Sequence, residues 1–244
     1  MAEAASRPAF YAAKQGGLRD WWTLLHPPYT AWHLSYVVLG ACLAPAVDLT
    51  RLVATLCAFF LAVGIAAHAL DELHDRPLKT EIPEGALIAA AVLGLGGALA
   101  LGVAGVAQLG WPLLAFMAAG TVLVLAYDLE WFGGIIHTDA GFAAAWGSFP
   151  VLTAFFAQSG GLTPVGILAA ASAFGLTEAQ RSLSNRARQI RRRARAVEGR
   201  VYLASGQEQL IDTAYLLEPL ERALRALAWS LVVLAIALAL FRLS

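Results

Sequence analysis

Residues 67–83 read Ala-His-Ala-Leu-Asp-Glu-Leu-His-Asp-Arg-Pro-Leu-Lys-Thr-Glu-Ile-Pro, the densest set of chemistry-capable side chains in an otherwise apolar stretch. His68, Asp71, Glu72 and Asp75 stand at i, i+3, i+4 and i+7, so a helix would carry all four on one face. Pro77 predicts that the helix ends at or near Arg76. Carboxylates stacked by helical turns suit Mg²⁺, which takes one or two carboxylates with waters and phosphate oxygens. The spacing therefore nominates Asp71, Glu72 and Asp75 as metal ligands. The same residues also fit a plainer role, a solvated helix end with a local ion pair such as Asp75 to Lys79.

A second set lies about a hundred residues on. Arg181, Asn185 and Arg188 fall at i, i+4 and i+7, one face of a helix, where guanidinium groups can hold an oxyanion by paired hydrogen bonds. The other arginines of this run, Arg191, Arg192, Arg193, Arg195 and Arg200, read as contacts to anionic lipid headgroups, worth about 1 kcal/mol each near a membrane surface. The run is short and has no interleaved aromatics, so nucleic acid is not an expected partner. Tyr127 reads as an interface anchor or a site-lining ring, and His137 and Asp139 as turn and cap residues. Trp32, His33 and Tyr36 fit either a pocket wall or bundle packing. No Ser/His/Asp or Cys/His arrangement points to hydrolysis.

These residues need elements to hold them, and composition says which. Of 244 residues, 59% are hydrophobic and 14% charged, against about 25% charged in ordinary soluble domains. Mean hydropathy is +0.65. Apolar stretches near 31–48, 51–71, 84–107, 111–128, 139–157, 163–182 and 223–242 are each about long enough to cross ~30 Å of hydrocarbon. The expectation is an all-α membrane protein of about seven transmembrane helices, in one domain over 21–244 behind a polar N-terminal segment at 1–20. Segment 207–222 mixes leucines with acids and reads as an amphipathic surface helix. The start of the chain carries no cleavable signal pattern, so the first membrane helix is expected to direct insertion. Basic residues crowd the N-terminus, the 72–83 loop and the 183–222 segment, which predicts a multi-pass protein with its N-terminus and polar loops cytoplasmic. Cys42 and Cys57 sit in apolar stretches as core residues.

In the order and spacing of these stretches the chain resembles the UbiA superfamily of intramembrane prenyltransferases over residues ~20–185. That family carries Asn-Asp-x-x-Asp-x-x-x-Asp after its second helix, often leading into Arg-Pro-Leu. Here Ala67 and His68 stand at the first two positions, Asp71 and Asp75 match the later acids, and Arg76-Pro77-Leu78 follows. His26-Pro27-Pro28-Tyr29-Thr30-Ala31-Trp32 is similar to the family's first-helix entry, and Ala126-Tyr127-Asp128 with Gly147-Ser148-Phe149-Pro150 to its fourth-to-fifth-helix region. The resemblance implies a helical bundle around a central cavity, in which Mg²⁺ holds a prenyl diphosphate. The prenyl group is passed to a lipophilic acceptor or cyclised. The resemblance implies His68, Asp71 and Asp75 as the candidate catalytic set, and Arg76, Lys79, Tyr127, Arg181, Asn185 and Arg188 as candidate substrate contacts. The chain departs from the family in its second acidic motif: residues 177–188 hold Glu178 as their one acid, with Arg181, Asn185 and Arg188 in its place. The basic residue common after the family's fourth helix is replaced by Asp128, Glu130, His137 and Asp139. The alternative expectation is a non-catalytic isoprenoid- or lipid-binding descendant, alone or as a complex subunit. A transporter reading lacks paired broken helices or repeats.

Overall fold

The computed structural model describes residues 8–244, apart from the side chain of Phe132. The first seven residues of the expected polar N-terminal segment lie outside the described residues.

Helix starts and stops follow local chemistry. After the short α1 (Leu18–Leu24), Pro27 and Pro28 open α2 (Pro27–Cys42), where a missing N–H costs nothing. The Asp48 carboxylate accepts from Arg51 N at 3.0 Å and caps α3, which runs from Leu49 to Leu73 with a wider π-helical stretch at Phe60–Ala67. α4 is Glu84–Leu109, ended by Gly110 at φ 78°, and α5 is Pro112–Asp128. A single helical turn at Trp131–Gly134 leads to α6, Asp139–Ser159, capped by the Thr138 hydroxyl and holding a second π stretch at Ala144–Ser148. α7 is Pro164–Arg193. Strands β1 (Gly199–Tyr202) and β2 (Glu208–Ile211) pair antiparallel, with Arg200 opposite Leu210, and α8 is Thr213–Leu243.

Four of these helices, α3, α4, α6 and α8, are long and apolar enough to cross a membrane; α5 is apolar but shorter. The fold is mostly helical, in line with the all-α expectation, with one small local exception. The 199–211 segment is a β-hairpin, its Arg200 guanidinium paired with the Glu208 carboxylate at 2.5 Å across the strands. The expected surface helix at 207–222 is likewise replaced. From Thr213 the chain is already in α8, which continues through Pro219 without a break. Burial explains the continuity: Leu217 and Leu224 pack with Ala187 and Ile190 of α7, outweighing the lost proline hydrogen bond.

Close approach sets the bundle's centre. A Cβ on Gly147 would lie 2.5 Å from Thr177 Oγ1 and 2.8 Å from Ala173 O, so only glycine lets α6 lie this near α7. Gly40 does the same for α2 against the Val151 backbone. Val63 and Ala67 from one π stretch and Ala145 and Trp146 from the other meet Val124 and Tyr127 of α5 in a single buried cluster. The candidate site lies against this cluster.

Candidate functional site

The ends of α3, α5 and α7, with the start of α2 and residues 8–11, enclose a polar cavity of about 180 Å³. His68 and Asp71 enter it from α3, Tyr127 and Asp128 from the last turn of α5, and Arg181, Arg188, Arg191 and Arg192 from α7. Val63 and Trp146 also line a second cavity of about 320 Å³, walled almost wholly by apolar side chains of α3 to α6.

The acidic loop does not behave as its spacing predicts. Helix α3 stops at Leu73, His74 is extended, and Asp75, Arg76 and Lys79 take left-handed backbone conformations. The loop's own backbone needs partners, and nearby charges supply them. Glu72 is fully buried; one carboxylate oxygen accepts from Leu78 N at 2.9 Å, the other from Thr80 N at 2.8 Å and the Thr80 hydroxyl at 2.9 Å. Glu72, nominated as a metal ligand, is here a clasp for residues 78–80. Arg76 donates to Ile82 O at 2.7 Å, holding the same loop from its other side, and Lys79 is exposed. Asp75 is exposed and off the helical face. Asp75, Arg76 and Lys79, nominated as catalytic or substrate-contacting, do not line the cavity. Of the four-residue face, His68 and Asp71 remain.

Helix α7 keeps its face because it continues unbroken to Arg193. Arg181 is already engaged: Nε donates to Asp139 Oδ1 at 2.8 Å, Nη2 to the Tyr127 hydroxyl at 3.2 Å, and its guanidinium lies 4.5 Å from the Phe142 ring centre. Asn185 donates to both Asp139 oxygens at 2.8 and 3.0 Å and receives Arg188 Nη2 at 2.6 Å; it positions Arg188 and does not itself line the cavity. Arg188 makes that single hydrogen bond among the described residues, so most of its five donors face the cavity unpaired. Arg191 pairs with the buried Glu221 of α8, and Arg192 reaches Pro8 O at 3.2 Å. Arg191 and Arg192, expected at lipid headgroups, instead line the site.

Histidines form much of the remaining wall. His33, His68 and His137 each place Nδ1 against a backbone carbonyl, at 2.8 Å (Trp146), 3.1 Å (Gly64) and 3.0 Å (Tyr127). Each pairing requires a proton on Nδ1 and leaves Nε2 the acceptor. His26 stacks on His68 with ring centres 4.2 Å apart and planes 15° apart, and its buried Nε2 has no partner. Burial, reinforced by neighbouring His68, holds His26 well below the usual imidazole range; burial likewise pushes the Tyr11 hydroxyl well above its usual value.

Compared with known proteins, the chain matches no family model, no curated protein and no solved structure.

Among the described residues no group of three or more His, Cys, Asp or Glu is arranged to hold a metal. A cage built by protein alone is thus not what the cavity offers. Two carboxylates, Asp71 and Asp128, do line it, and Asp128 Oδ2 is buried without a hydrogen-bond partner. That set suits Mg²⁺ completed by phosphate oxygens and water. Asp128, His26, Arg191 and Arg192 are the site residues that the sequence reading did not nominate, whereas His33, offered as a pocket wall, does line the cavity. Arg192 at i+4 from Arg188, and a carboxylate closing an apolar helix, were the available signals.

Proposed function

We propose that this is an intramembrane enzyme of the UbiA type, which takes a prenyl diphosphate with Mg²⁺ and transfers or cyclises its prenyl group. One observation carries the reading: a cavity holding both carboxylates and unpaired guanidinium shares Val63 and Trp146 with a larger apolar cavity among helices of membrane-spanning length. A molecule with a charged, oxygen-rich head and a hydrocarbon chain satisfies both halves; a water-soluble anion leaves the apolar half empty.

In this reading Arg188 holds the diphosphate by bidentate hydrogen bonds, and Arg192 adds charge once it releases the Pro8 carbonyl. Mg²⁺, held at Asp71 with diphosphate oxygens, would neutralise charge on the leaving group. Arg181 fixes the wall: through Asp139 and Tyr127 it locks α5, α6 and α7 together and keeps Phe142 flat against the cavity. The rings of Tyr127, Phe142 and Trp146 present π faces where an allylic cation would form, and exclude water that would quench it. The remaining members of the proposal are a multi-pass bundle of about seven spanning helices, cytoplasmic placement of the polar cavity, and a lipophilic acceptor. The basic residues concentrated at that end support the placement.

Purified protein with Mg²⁺ and geranyl or farnesyl diphosphate should release pyrophosphate, and Asp71→Asn should lower the rate at least about a hundredfold. Tight binding of prenyl lipids with no turnover across chain lengths and acceptors defeats the enzyme reading. It would favour the second one, a lipid-binding protein, which the replacement of the family's second acidic motif by Arg181, Asn185 and Arg188 supports.

A further inference from the structure

The last residue of α5 is Asp128, a carboxylate closing an otherwise apolar helix. It lines the same cavity as Asp71. Its Oδ2 is buried, and among the described residues neither an ion pair nor a side-chain hydrogen bond answers it. The other acids near the cavity are engaged: Glu221 with Arg191, Asp139 with Arg181 and Asn185, and Glu72 with its loop. The cavity's basic side chains come from α7. Asp128 comes from α5, where Tyr127, its chain neighbour, takes the one nearby arginine contact. A buried carboxylate oxygen without a partner is disfavoured unless something cationic binds it or a proton neutralises it.

We infer that Asp128 and Asp71 together form a divalent-cation site between the ends of α3 and α5. Asp128 thereby supplies the second carboxylate where helix α7 offers arginines instead of acids. Two carboxylates from neighbouring helix ends, with the remaining positions filled by water and phosphate oxygens, meet the coordination preference of Mg²⁺ or Mn²⁺. This division puts the cation at α3 and α5 and the guanidiniums at α7, so a bound diphosphate would be gripped from both sides.

The inference rests on the diphosphate reading above but is tested by binding rather than by turnover. Full-length protein in lipid nanodiscs, with excess inorganic pyrophosphate, is titrated with Mn²⁺ and followed by electron paramagnetic resonance. One tight Mn²⁺ per chain is expected. Asp128→Asn and Asp71→Asn should each weaken it about tenfold or more, and Asp75→Asn should leave it unchanged. Asn is nearly isosteric, and the metal-free thermal midpoint of Asp128→Asn should be equal to or above that of the parent chain, because an unpaired buried charge is removed. Mn²⁺ binding unaffected by Asp128→Asn, or no Mn²⁺ binding by the parent chain, overturns the site and leaves Asp128 a protonated packing residue. Mn²⁺ bound as expected with no pyrophosphate released from any prenyl diphosphate would keep the site and overturn the enzyme.

Discussion

The loop at 72–82 and the end of α7 carry similar densities of charge but use it in opposite ways. In the loop, charged side chains turn inward on their own backbone: Glu72 accepts three hydrogen bonds from residues 78–80, and Arg76 donates to Ile82 O. In α7 the backbone satisfies itself, so Arg181, Arg188, Arg191 and Arg192 remain available to neighbours and to the cavity. A charge beside irregular backbone is first a structural partner; a charge on an unbroken helix keeps the direction its spacing gives it.

The contrast is open to attack in three places. The largest effect should be at Glu72, where Ala leaves two buried backbone N–H groups and a hydroxyl unanswered and costs about 3 kcal/mol or more. Denaturant or thermal unfolding in detergent measures it, and a change under about 0.5 kcal/mol would mean that the clasp is dispensable. Next comes α7: Arg188→Ala should weaken inorganic pyrophosphate binding by about ten- to a hundredfold, read by calorimetry. Arg193→Ala, outside the cavity, should change little, and equal losses at the two positions would reduce both to general surface charge.

The smallest effect concerns the seam between the two regions, where His26 stacks on His68. His26 is held well below the ordinary imidazole range in the folded chain, so the unfolded chain takes up the proton first as pH falls. Its penalty is absent above the ordinary imidazole value of about 6.5 and grows as pH drops below it. Thermal midpoints should therefore fall between about pH 7 and 5, and His26→Phe should flatten that slope; an unchanged slope would place the acid sensitivity elsewhere.

Much of the helical framework was legible. The apolar stretches near 51–71, 84–107, 139–157 and 223–242 correspond to the four helices long enough to span a membrane, because hydrocarbon thickness and helix rise leave little choice. Local signals misled where tertiary burial overrode them. The acids at 208 and 212 suggested an amphipathic helix, whereas 208–211 pairs as a strand and Asp212 caps α8 through Tyr215 N. In the loop, periodicity assumed a helix through Arg76 that ends at Leu73.

For the site, spacing identified His68, Asp71, Tyr127, Arg181 and Arg188, all of which line one cavity. It also nominated Glu72, Asp75, Arg76, Lys79 and Asn185, which do not line it. Nothing in their order separates Asp71 from Glu72, adjacent residues of like chemistry. One helical step of about 100° turns one toward the cavity and the other toward the 78–80 backbone. Sequence by itself determined a chain of apolar helices with acids gathered after one and arginines after another, since burial in lipid and helical periodicity act locally. Only the tertiary structure decided which charges meet a ligand space and which hold the protein together. That depends on which backbone groups lie within reach once the chain has folded, and it is why Asp128, isolated in sequence, lines the same cavity as Asp71.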